Sequence, residues 1–139
     1  MTSWLLYALL SAVAAAATAI LAKLGVQGVP STLATAIRTV VILAFAWGIV
    51  LAGGQHRELA KLDARAVVFL TLSGLATGAS WLAYFQALKL GPASRVAPID
   101  KLSLAFTLVL AAVALGEPIT WKLALGVGLM VAGALLTLA

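Results

Sequence analysis

A chain of 139 residues that is 64% hydrophobic and only 9% charged, with a mean hydropathy of +1.16, has more apolar surface than one small core can bury, which excludes a water-soluble domain. It has no cysteine for disulfides or thiolate metal sites, and one histidine with four carboxylates leaves almost nothing for hydrolytic or metal chemistry, so neither an enzyme nor a cofactor or metal is expected. The net charge of +5 is spread as Lys and Arg residues between apolar runs, which suits the anionic headgroups of a lipid bilayer and not nucleic acid.

The first apolar stretch runs from Ser3 to Leu21 and places Tyr7, Ser11, Ala14 and Thr18 along one face. A cleaved signal peptide over residues 1 to 23 is the competing reading. It is set aside because no basic segment precedes the run and the run is longer than a signal's apolar core. The divider "GVQGVPS" (25 to 31) leads to the second stretch, Leu33 to Leu51, with Arg38 about five residues in.

The charged divider "GGQHRELAKLDAR" (53 to 65) precedes the third stretch, Ala66 to Leu88. Here Ser73, Thr77, Ser80 and Tyr84 recur at steps of four, three and four and share a face. Beside them run Gly74, Gly78, Trp81 and Phe85. Two uses of these faces stay open: close helix contact through the glycines, or a polar lining to a cavity.

After "LGPASR" (90 to 95) comes the fourth stretch, Val96 to Leu115, with Asp100, Ser103 and Thr107 on one side. Pro98 suits the first turn of this helix, which puts Asp100 two residues further in, against the positive end of the helix dipole. Lys101 gains nothing from that dipole and stands about 100° round the helix from Asp100, so the two are not expected to be simple partners of each other. Either Asp100 caps the helix while Lys101 snorkels outward, or both join Arg38, Trp81 and Tyr84 in a polar layer. "LGEPIT" (115 to 120) then opens the fifth stretch, Trp121 to Leu138, whose face Gly126, Met130, Gly133 and Thr137 reads as a packing seam or a contact to a second chain.

Each stretch holds about 18 to 23 residues, enough at about 1.5 Å per residue for a hydrocarbon core about 30 Å thick. Alternating directions then put Arg57, Lys61, Arg65 and Lys122 toward one side, and Lys23, Arg38, Lys89, Arg95 and Lys101 toward the other. The N-terminal amine levels the count, so the positive-inside rule gives no orientation. A single fixed orientation and a dual one, with opposed copies pairing, both stand. Trp4, Trp47 and Trp121 fall at helix ends on the first side, as interfacial anchors would; Trp81 lies deeper and suits packing or a cavity.

The segments "ALKLGPASRVAPIDKLSLAF" (87 to 106) and "LGEPITWKLALGVGLMVAGALL" (115 to 136) resemble the end of an EamA domain of the drug/metabolite transporter superfamily, and "AIRT" (36 to 39) extends the likeness into the second helix. The resemblance implies a half-module: such proteins usually carry two five-helix units of inverted topology and move small metabolites across a cytoplasmic membrane. The related small multidrug-resistance exporters use an acidic residue in the first helix for proton exchange, and residues 3 to 21 contain none.

Residues and resemblance together give an all-α polytopic membrane protein, five transmembrane helices in a single domain over residues 1–139, forming one half of an inverted-repeat transporter fold. The function expected is transport of a small solute by alternating access, in a homodimer held in the cytoplasmic membrane. Tyr7, Ser11, Arg38, Thr77, Ser80, Trp81, Tyr84, Asp100, Lys101, Ser103 and Thr107 are the expected substrate contacts, and Gly126, Met130 and Gly133 the dimer contact. A channel and a non-transporting subunit of a larger membrane complex are the rival readings.

Overall fold

In the computed structural model, residues 3–138 are described, and among them there is no strand. The helices are α1 (Ser3–Gly25), α2 (Ser31–Ala52), α3 (Ala64–Leu90), α4 (Ala93–Asp100), α5 (Ser103–Leu110) and α6 (Trp121–Leu136). The stretches Ser3–Gly25, Ser31–Ala52, Ala64–Leu90 and Ala93–Leu115 are each long and apolar enough to cross a membrane. At 16 residues, α6 is the shorter fifth. The protein is thus an all-helical, polytopic membrane protein.

The dividers behave as their residues dictate, with one refinement. The charged connection is not a simple turn: Gly54, at φ 68°, reverses the chain and a 3₁₀ helix spans Gln55–Lys61. Its Lys61 and Glu58, three apart, pair at 2.9 Å. Gly116, at φ 69°, ends the fourth stretch in the left-handed region where a Cβ is strained. Ahead of it Ala111–Leu115 widens to a π turn, and the Glu117 amide closes it onto the Ala111 carbonyl at 3.2 Å. The Thr120 hydroxyl caps α6 by accepting the Leu123 amide at 3.3 Å.

The fourth stretch departs from expectation. Its helix begins at Ala93, not Val96, so Pro98 lies inside α4 and Asp100 is that helix's last residue, not a first-turn cap. Pro98 has no N–H to offer the Ser94 carbonyl, and a proline ring crowds the preceding turn. The chain responds by tightening: Lys101 bonds Pro98, Leu102 bonds Ile99, Leu104 bonds Lys101 and Ala105 bonds Leu102, all i to i−3 at 3.0 Å. Lys101 and Leu102 form the break between α4 and α5.

The chain divides into two compact units. One comprises residues 3–20 and 90–138, in which α6 packs against both α4 and α5. The other, Leu21–Lys89, holds the end of α1, the whole of α2 and nearly all of α3. In this second unit the end of α1, the start of α2 and the end of α3 meet. Lys23 Nζ donates to the Leu88 carbonyl, one of the last carbonyls of α3 that no helical amide can reach, and the Ser31 hydroxyl donates to Gln86 Oε1. Val26, Thr35, Phe85 and Leu88 are buried around this junction, and it matches the alternation of helix directions inferred from sequence. Elsewhere the helices present their Leu, Val, Ile and Phe side chains outward, as lipid-facing helices do.

Candidate functional site

The second unit contains the most developed polar arrangement. Arg38 is the eighth residue of α2, about 10 Å from its start at 1.5 Å per residue. From α3, Trp81 and Phe85 stand one turn apart on the same face and reach it. The Arg38 guanidinium carbon lies 4.2 Å from the Trp81 ring centroid and 5.4 Å from that of Phe85. The attraction of a cation to an aromatic face answers part of the cost of holding a charge at this depth. Arg38 and Trp81 are half-buried, and Phe85, edge-on to Tyr84 with centroids 6.5 Å apart, is buried.

Two hollows adjoin this stack, Arg38 and Phe85 bordering one and Trp81 the other. The smaller, about 240 Å³, is lined by the end of α1, by Ala34, Ile37 and Arg38 of α2 and by Phe85. The larger, about 440 Å³, is an open groove between Thr39, Ile42, Leu43 and Ala46 of α2 and Leu70, Ser73, Gly74, Thr77, Gly78 and Trp81 of α3. Its floor answers the question left open by the glycines. A Cβ added at Gly74 or Gly78 meets nothing within 4 Å, so within this chain they line a groove and make no close helix contact. The Thr77 hydroxyl donates to the Ser73 carbonyl at 2.9 Å and Thr39 to Thr35 at 2.8 Å, leaving both free only as acceptors.

Of the residues expected to contact substrate, Arg38, Thr77, Ser80, Trp81 and Tyr84 belong to this unit; Arg38 meets Trp81, Thr77 shares the groove with Trp81, and Ser80 is exposed. Tyr7, Ser11, Asp100, Lys101, Ser103 and Thr107 belong to the other unit. There Thr107 bonds back to the Ser103 carbonyl at 2.9 Å, while Tyr7 and Ser11 are exposed.

Asp100 and Lys101 correct the expectation that neighbours would not pair, since Lys101 Nζ lies 3.3 Å from Asp100 Oδ2. Lys101 keeps a right-handed helical backbone, φ −72° and ψ −7°, so the angular separation from Asp100 remains and it is the side chain that closes the gap. Lys101 stands at the break after α4, and its long stem folds back on the preceding carboxylate. Phe85 is the residue missing from the expected site. Its signal was present, four residues after Trp81 on the same face.

A family model described as the EamA-like transporter family matches residues 2–139. The chain belongs to the EamA-like transporter family. It is also 54% identical over 134 residues to a Sinorhizobium sp. protein named "Uncharacterized transporter in cobO 3'region", covering 96% of this chain and 95% of that relative. No solved structure matches it. This EamA-like protein is therefore a membrane transporter, and its stacked arginine and groove lie within the matched residues.

Proposed function

We propose that this EamA-like protein moves a small solute across the cytoplasmic membrane by alternating access, as a homodimer whose two copies are inserted in opposite directions. The observation that carries the reading is the α2–α3 groove, a hollow of about 440 Å³ bordered by Trp81, whose ring lies 4.2 Å from the Arg38 guanidinium carbon, which has the size and the few polar groups of a small-molecule site. Transporters of this architecture place the site between inverted repeats near the midplane, and one odd-numbered unit obtains an inverted mate only from a second copy. The open Gly126, Met130 and Gly133 face of α6 supplies a seam for that copy, since a Cβ at either glycine meets nothing within 4 Å. The bilayer is the remaining partner, and no nucleic acid is involved.

The test is uptake by proteoliposomes of solutes first selected by thermal shift, with Gly78→Phe as the blocked control. Accumulation of a solute above its equilibrium level that Gly78→Phe abolishes supports the reading. Passive equilibration only would make the protein a channel, and no solute movement at all would leave the non-transporting subunit.

A further inference from the structure

The charge inventory points to the sign of the solute. Three charged side chains stand more than a turn inside the membrane-spanning stretches, Arg38, Asp100 and Lys101. Asp100 and Lys101 answer each other at 3.3 Å. The remaining carboxylates, Glu58, Asp63 and Glu117, lie in the connections between stretches, so α2 and α3 offer Arg38 no carboxylate at all. Its neighbours within its own unit are the faces of Trp81 and Phe85 and the phenol of Tyr84, and none of them brings a carboxylate to the guanidinium. A guanidinium carries its N–H groups in one rigid planar fork, which a carboxylate can meet with two parallel bonds.

Arg38 also stands where the two hollows meet. It lines the smaller one, and the Trp81 ring that it covers lines the larger. An acid group held there has the apolar floor of Gly74 and Gly78 beside it for the rest of the molecule. We infer that the α2–α3 groove takes a small organic acid with an apolar body, its carboxylate on the Arg38 fork and its body along the Gly74–Gly78 floor. This rests on the transporter reading and adds the substrate class to it.

The test uses the wild-type protein in phosphatidylcholine nanodiscs and three probes of one shape: 3-phenylpropionate, its neutral amide, and 2-phenylethylammonium. Calorimetry should find the acid bound about tenfold or more tighter than the amide, the worth of one or two hydrogen bonds to a charged partner, with the ammonium weakest. Arg38→Gln should remove the preference for the acid and Arg38→Lys keep part of it. Because the probe series is read on the wild type, a poorly folding variant does not obscure the result. Equal binding of acid and amide, preference for the ammonium, or binding of none overturns the inference. So does loss of acid binding when phosphatidylglycerol is added, since a lipid headgroup would then be the groove's anion. The transporter reading fails separately, when proteoliposomes accumulate no solute of any charge.

Discussion

Arg38 on α2 and Trp81 on α3 bridge the two helices that border the groove of about 440 Å³, with the guanidinium carbon 4.2 Å from the ring centroid. A cation over an aromatic face contributes about 0.5–1 kcal/mol when exposed and about 2 when shielded from water. Trp81→Leu should therefore lower stability by about 1–2 kcal/mol beyond the packing it loses, and Trp81→Phe by less. A double-mutant cycle with Arg38→Gln, read by unfolding in mixed micelles, should give a coupling of about 1 kcal/mol. Additive effects would mean that the stack contributes nothing to holding α2 to α3.

The periodicity of α3 is enough to put Trp81 and Phe85 on one face, and the apolar runs place α1, α2, α3 and α6 to within a few residues but miss the division of the fourth stretch into α4 and α5, because both depend on local pattern alone. The pairing of Asp100 with Lys101 escapes the sequence for a physical reason: a lysine stem is long and flexible enough to curl back on a neighbouring carboxylate, and its rotamer is not set by spacing. In sequence Pro98 suits the opening of a helix, yet the residues before it, "ASRVA", already form one. The fate of Gly74 and Gly78 is equally out of reach, since a glycine face looks the same in sequence whether a helix or a hollow adjoins it.

Those glycines give the second prediction. An exposed helical glycine replaced by alanine gains about 0.8–1 kcal/mol of helix propensity where nothing obstructs the new Cβ. Gly74→Ala and Gly78→Ala should thus leave the protein as stable or more so, while Gly126→Leu and Gly133→Leu should dissociate the proposed homodimer through the α6 seam. Analytical ultracentrifugation in detergent separates the two. Dissociation by the α3 substitutions and not by those in α6 would move the contact to the groove.

Pro98 gives a third. Pro98→Ala restores the amide that the Ser94 carbonyl lacks, removes the ring's crowding and lets α4 run on into α5, a gain of up to about 3 kcal/mol. A higher unfolding midpoint together with weaker uptake is the expected result, since the break then serves movement and not stability. A lower midpoint would show that the broken geometry is itself the packed, preferred one.

The last prediction concerns orientation. Four basic residues lie toward the side of the charged connection and five toward the other, and the N-terminal amine evens them. Insertion depends on the bias in Lys and Arg near the spans, so a near-even count suits the proposed pairing of oppositely inserted copies. A reporter fused to the C-terminus should accordingly be found on both faces of the membrane. Two lysines added within residues 53–65 should hold that connection in the cytoplasm and move the reporter to the opposite face. If the paired, opposed copies are the working form, the biased protein should lose uptake and regain it when mixed with a version biased the other way by lysines near Ala93. A reporter confined to one face in the unmodified protein would leave the groove and its arginine intact but remove the opposed homodimer.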